Sequence, residues 1–181
     1  MSRYFISLSP DSLTAKKLAG MYDGIDNATW VPSDQLHLTL KFIGSIGPDR
    51  AAELAAVLAE IRHAPFQCTV QGAGTFPHVD GRGQLNVLWT GFAPSEELES
   101  LITTVEDHAV NMGLDPADRP VHPHLTVARL RNAERSDVKR WLSRYSALTL
   151  APFSVTSFHL MNSALTADGA EYETVKTFTL K

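Results

Sequence analysis

The chain has 181 residues and one cysteine, Cys68. A lone thiol excludes an internal disulfide and most cysteine-based metal sites. Its expected place is as a small apolar core residue. No apolar run is long enough to span a bilayer, and "MSRYFISLSPDS" at the start is too short in apolar residues for a secretory leader. A cytoplasmic protein is therefore expected. Positive charge is not in excess either: 16 Lys and Arg stand against 20 Asp and Glu, for a net charge of −4. That balance excludes wrapping long nucleic acid, which needs many phosphate contacts from a basic surface. It leaves room for one phosphate group in a locally basic cleft. No heptad or edge feature calls for an oligomer, so a monomer is expected. What the chain does have is 44% hydrophobic residues with 20% charged, enough for a proper core.

Period and punctuation divide the chain into alternating strands and helices. Residues 3–9 alternate as a strand, and 10–22 open on Pro10 and Asp11 as a helix. Residues 34–42, "DQLHLTLKF", read as a strand whose apolar face is Leu36, Leu38, Leu40 and Phe42. A helix is expected over 47–64 and strands over 66–74 and 84–92. The order then repeats with a helix over 93–113, a strand over 124–129, a helix over 133–145, and strands over 153–162 and 172–180. A turn is expected at 167–169.

The repetition extends to residues. His37 and Thr39 recur as His124 and Thr126, and "APFQCT" (64–69) recurs as "APFSVT" (151–156). Both offsets are the same: 124 − 37 = 87 and 151 − 64 = 87. Two independent matches at one offset point to an internal duplication. The expected fold is α+β and bilobal: two antiparallel sheets, helices packed outside, and a central cleft. The pseudo-repeats are placed at about 3–75 and 84–163, with a closing strand at 172–180, all within one domain spanning 1–181.

Strand residues i and i+2 share a face. His37 and Thr39 therefore project together from one strand, and His124 and Thr126 from another, on faces that core packing does not claim. If the two strands flank a pseudo-twofold axis, one cleft holds two imidazoles and two hydroxyls. With an ordinary pKa of about 6.5, one histidine can act as base while the other acts as acid. In-line displacement at phosphorus needs both, and the threonine hydroxyls can donate to phosphate oxygens as charge develops. No metal is required. A metal site built from His37, His122 and His124 would need a carboxylate, and these strand faces carry none. His122 could line the cleft, with a turn or loop role the expectation. His63, His78, His108 and His159 have no doubled counterpart and are expected on the surface or in structural roles.

At this point the residues resemble a known family. "HLTL" (37–40) and "HLTV" (124–127) resemble the paired H-x-[ST]-x motifs of the two-histidine phosphoesterases. Among these, the nearest likeness is to the bacterial and archaeal RNA 2',3'-cyclic phosphodiesterases, historically called 2'-5' RNA ligases. "RYFISL", "LHLTLKFIG", "GAGTFP", "VLWTGF", "HPHLTVAR" and "SALTADGAEYETV" resemble that family's segments in the same order. The resemblance implies two α+β halves, each with an antiparallel sheet, around a water-filled cleft. It implies cofactor-free and metal-free opening of a terminal 2',3'-cyclic phosphate on RNA to a 2'-phosphate. His124 would take a proton from water, His37 would protonate the leaving oxygen, and Thr39 and Thr126 would hold the phosphate. The implied partners are RNA 3' ends, or nucleotides, carrying a 2',3'-cyclic phosphate.

Other readings stay open: 2'-5' ligation, another small cyclic phosphate as substrate, or a non-catalytic nucleotide-binding module. Asn86 stands where the family often has a basic residue, with Arg82 the nearest arginine. Arg129 resembles the family's basic residue after the second motif, but strict alternation puts it on the face away from His124 unless a bulge intervenes. Lys41 shares the face of His37 by the same alternation and is a second phosphate-binding candidate. Phe5, Phe42 and Phe76 are candidate base-stacking rings, with core packing the expectation for each.

Overall fold

A computed structural model describes residues 2–77, 85–166 and 169–181. The first strand, β1, is Ser2–Leu8. Asp11 then caps α1, Ser12–Ala19, by accepting the Thr14 N–H at 2.8 Å. β3, Leu38–Ile46, begins one residue after His37, and α2, Pro48–Leu58, starts on the expected proline. α2 stops six residues before the expected 64, and Pro65 disfavours helical backbone at Ala64 itself. Ile61 is nonetheless buried in the turn that follows. β6 is Leu85–Phe92. α3, Glu96–Asn111, is capped by Ser95 and ends near Gly113, whose φ of 86° is the left-handed conformation a helix C-cap needs. β7 is His124–Leu130 and α4 is Arg135–Tyr145.

Two elements differ from expectation. The stretch 66–74 is two strands, β4 (Phe66–Cys68) and β5 (Val70–Pro77), and 153–162 is likewise two, β8 (Phe153–Val155) and β9 (Ser157–Thr166). β4 and β8 pair as a separate antiparallel sheet, centred on Gln67 opposite Ser154, positions 154 − 67 = 87 apart. The repeated "APF" segments exist to make this ladder. A short strand, β2 at Ala28–Trp30, pairs with β7 and carries no alternation long enough to read in advance. β10 is Gly169–Thr179, so the last expected turn residue already belongs to a strand.

The main sheet is antiparallel, with strand order β10-β9-β1-β3-β7-β6-β5 and β2 beside β7. The two halves do not each form a separate sheet. β9 joins β1, and β5 joins β6, so each half lends a strand to the other's end. The halves meet where β3 and β7 pair through one residue pair, Leu38 opposite Leu125. These positions are also 125 − 38 = 87 apart. Both leucines are fully buried. One side of the sheet is packed by Leu18 of α1, Leu54 and Leu58 of α2, Leu101 and Val105 of α3, and Trp141 of α4. The other side is left for the cleft. Cys68 is buried as expected, and burial pushes its thiol up to about 12.

Leu38→Ala and Leu125→Ala are each expected to cost about 2–5 kcal/mol, since each empties part of a fully buried junction. Chemical denaturation of the singles and the double measures this. The pair is expected to deviate from additivity by roughly 0.5 kcal/mol or more; simple additivity would mean the two side chains do not depend on each other.

Candidate active site

The Leu38–Leu125 pair sets the relation of the two motifs. Antiparallel pairing about it places His37 on the Thr126 side and Thr39 on the His124 side. The expected convergence of the four residues on one face is what this geometry provides. The two imidazoles are held alike. His37 Nδ1 lies 2.7 Å from the Gln35 carbonyl, and His124 Nδ1 lies 2.6 Å from the His122 carbonyl. A carbonyl oxygen only accepts, so each Nδ1–H donates. Nε2 is then the working nitrogen of both rings: an acceptor when the ring is neutral, a donor when it is charged.

Both motif strands bulge just after the threonine. Pairing between β1 and β3 steps from Ile6–Lys41 to Ser7–Thr39, which leaves Leu40 extra. Pairing between β6 and β7 steps from Leu88–Ala128 to Trp89–Thr126, which leaves Val127 extra. Again the offset is 127 − 40 = 87. Each bulge reverses the alternation beyond it. Leu38, Leu40 and Lys41 are buried while Phe42 is exposed; Leu125, Val127 and Ala128 are buried while Arg129 is exposed.

The placement of Lys41 beside His37 by simple alternation is therefore corrected. Its side chain turns to the core side, where Nζ donates to Glu106 Oε2 at 2.8 Å and to the Asp115 carbonyl at 3.0 Å. Arg129 moves the other way, onto the face of His124 and Thr126, and its charge acts on His37. Phe42, the position matching Arg129, is 77% exposed, which corrects the expectation that it packs in the core.

Aromatic rings wall both imidazoles. Phe5 and Tyr172 lie 5.0 and 5.1 Å from the His37 ring, and Phe76 lies 4.9 Å from His124, edge-on. Phe5 is buried but faces this side of the sheet, opposite Phe42, rather than joining the main core. Trp89 lies 5.0 Å from His122 and covers Gly74, where a Cβ would come within 2.1 Å of the indole. That contact explains the second glycine of "GAGTFP". His122 is not merely a turn residue: with Thr39, Phe42, Arg119 and His124 it lines a cavity of about 460 Å³. His159, expected to be peripheral, lies two strands from Thr39 in the cross-strand row Thr39–Ser7–His159. Tyr172, Trp89 and His159 have no doubled counterpart, so the repeat could not single them out. Arg82 and the Asn86 side chain lie outside the described residues. Among the described residues, no group of three or more His, Cys, Asp or Glu is placed to hold a metal ion, and no helix is long and apolar enough to cross a membrane.

Comparison with known proteins identifies the class that this fold and site define. The chain belongs to the 2'-5' RNA ligase superfamily, whose family model matches residues 22–166. A relative from Archaeoglobus fulgidus, named RNA 2',3'-cyclic phosphodiesterase, is 29% identical over 181 residues, covering 97% of this chain and 99% of its own. One of the same name from Aeropyrum pernix is 32% identical, covering 88% of this chain and 92% of its own. Among solved structures, TT0787 of Thermus thermophilus has the same fold, with a TM-score of 0.82 at 23% identity over 98% of this chain and 97% of its own. Escherichia coli LigT complexed with 3'-AMP has a TM-score of 0.77 at 24% identity, over 99% and 98%.

Burial lowers the pKa of His37, and the charges of Arg129 and His124 lower it further, against a raising contribution from the Gln35 carbonyl. Burial and then His122 lower that of His124, and burial that of His159. A depressed histidine binds its proton more weakly folded than unfolded. Its neutral form therefore stabilises the fold above the unfolded value of about 6.5, and that stability is lost as pH falls below it. Unfolding free energy is expected to drop on acidification from about pH 6.5, with a shallower slope in the His37→Gln, His124→Gln double variant. Equal slopes in both proteins would show that these rings do not carry the effect.

Proposed function

We propose that this protein hydrolyses the terminal 2',3'-cyclic phosphate of RNA to a 2'-phosphomonoester, without a metal, using its two motif histidines as base and acid. The single observation that carries the reading is the matched Nδ1 anchoring of both rings, which turns two Nε2 atoms to the same work. His124 Nε2 takes a proton from water as the water oxygen attacks phosphorus. The bond from phosphorus to the 3'-oxygen breaks, and His37 Nε2–H gives that oxygen its proton. Thr39, Thr126 and Arg129 bind the non-bridging oxygens, where hydroxyl and guanidinium donors oppose the developing charge. Lys41, buried and paired, has no part in holding the phosphate.

The assignment of roles follows the order of the two motifs in the family the chain belongs to, and both rings sit near positive charge. The positive charge of Arg129 is among the causes that depress His37, and that of His122 is among those that depress His124. The exposed Phe42 ring beside the 460 Å³ cavity is suited to stack a base of the substrate. We further infer that the chain is a single bilobal domain of two repeats, 3–75 and 84–163, closed by the strand at 172–180. Support comes from the two self-paired junctions and the matched bulges, all at an offset of 87.

In the presence of EDTA, a 2',3'-cyclic nucleotide or RNA end is expected to open to the 2'-phosphate, with bell-shaped kcat/KM against pH. His124→Ala and His37→Ala are each expected to lower kcat by about 100-fold or more. Full turnover in either variant, or a flat profile, would overturn the acid–base pair. A second prediction concerns size selectivity. Phe42→Ala is expected to raise KM for an RNA end, by an amount matching about 1–3 kcal/mol for one stacked base, and to leave kcat nearly unchanged. An unchanged KM would remove Phe42 from the substrate site.

A further inference from the structure

The buried lysine that the phosphate site leaves unused sits at a particular place. Lys41 lies two residues beyond Thr39 of the first H-x-T motif, and its side chain is only 2% exposed. Its partner, Glu106, stands near the end of α3 and is 24% exposed. The pair reaches further. Lys41 Nζ also donates to the carbonyl of Asp115, and the second carboxylate oxygen of Glu106 accepts the N–H of Ala117 at 2.8 Å. Asp115 and Ala117 belong to the irregular segment that runs from α3 to β7. Among the described residues, the stretch 115–121 has two hydrogen bonds to the rest of the protein, and both end on this ion pair.

That segment has two duties at the site. Its residues 115–121 form one wall of the cavity beside Thr39 and His124. It then continues into His122, whose carbonyl holds His124 Nδ1. Moving the wall therefore moves the carbonyl that orients the imidazole. The position matching Lys41 in the second half is Ala128, 128 − 41 = 87, so the first histidine has no such tether. His37 takes its carbonyl from Gln35, at the end of the short 3-10 turn Ser33–Gln35.

We propose that the Lys41–Glu106 ion pair is a latch that positions the second catalytic histidine by pinning the segment 115–121 against the first motif strand. Lys41 and Glu106 are positioning residues; neither touches the reacting phosphate. The inference about rate rests on the function proposed above, while the inference about position stands on the hydrogen bonds alone. An ion pair suits the task because it is conditional. A buried ammonium demands its partner, so the segment is held in one place rather than packed loosely. Its removal also has an asymmetric effect. Without Lys41, the partly exposed Glu106 can turn to water and the fold survives. Without Glu106, the lysine is left buried and unpaired.

Lys41→Met is the informative variant, since methionine fills the lysine stem without a charge. Hydrogen exchange of the Ala117 amide is expected to speed up by about tenfold or more, while core amides of β1 and β6 stay protected. In a wild-type enzyme active on the cyclic phosphate, the same variant is expected to lower kcat by about 100-fold, the scale of a misplacement near 1 Å. Affinity for inorganic phosphate should stay within about twofold, because Thr39, Thr126 and Arg129 do not hang on the segment. Glu106→Gln, which keeps an oxygen for Ala117, should show a smaller loss in the same direction. Unchanged Ala117 exchange in Lys41→Met would overturn the latch whatever the activity. Faster exchange with kcat unchanged would overturn its positioning role. Absence of activity in the wild type would instead count against the proposed function, leaving the exchange result to judge the latch. Should Lys41→Met not fold, Glu106→Gln supplies the same exchange and kcat comparison.

Discussion

The site depends on one residue pair. β3 and β7 meet only at Leu38 and Leu125, and everything that converges on the cleft is measured from there. One residue to either side lie the two histidines and the two threonines. Two residues beyond the junction leucines, matched bulges turn the strands over and bring Phe42 and Arg129 to the open face. A longer ladder at this junction would press the motif strands flat and side by side. A junction of one pair lets them diverge, which opens space between the two lobes while keeping the motifs adjacent. The second self-paired contact, β4 with β8, ties the halves together a second time in a separate sheet. The exchange of β5 and β9 between halves does so again, so the single pair at the centre is not asked to hold the molecule.

Symmetry supplies the pair of imidazoles, but chemistry at phosphorus needs them to differ. The backbone treats the rings identically, through Gln35 and His122. The difference comes from side chains that the repeat did not preserve. Arg129 matches Phe42 across the offset, and Lys41 matches Ala128. One substitution puts a positive charge where it acts on His37. The other puts an ion pair beneath only one of the motif strands. A duplicated scaffold thus gives its two histidines unlike surroundings through two positions in each strand.

Much of this was legible in the chain itself. The doubled His-x-Thr and the doubled "APF" segment share one offset, and that offset recurs at both junctions and both bulges. The element order and three of the four helix starts follow from prolines and capping residues. What was not legible has physical reasons. The bulges at Leu40 and Val127 leave no mark in the pattern of apolar residues, since Lys41 is polar yet buried and Phe42 apolar yet exposed. Reading strict alternation through a bulge put Lys41 on the face of His37 and Arg129 on the face away from His124, and both faces reverse for the same reason. β2 is three residues long, too short for any periodicity. Tyr172 and Trp89 reach the histidines from strands whose pairing depends on the swap of β5 and β9, which no local pattern encodes.

The central claim is that two rings with the same anchored nitrogen hold opposite protonation states around one phosphate. Nitrogen NMR of the His37 and His124 side chains, with a slowly hydrolysed 2',3'-cyclic phosphorothioate nucleotide bound near neutral pH, tests it directly. The account predicts Nδ1 protonated in both rings, with an Nε2 proton on His37 and none on His124. Nδ1 found unprotonated in either ring, or the same Nε2 state in both, would contradict it.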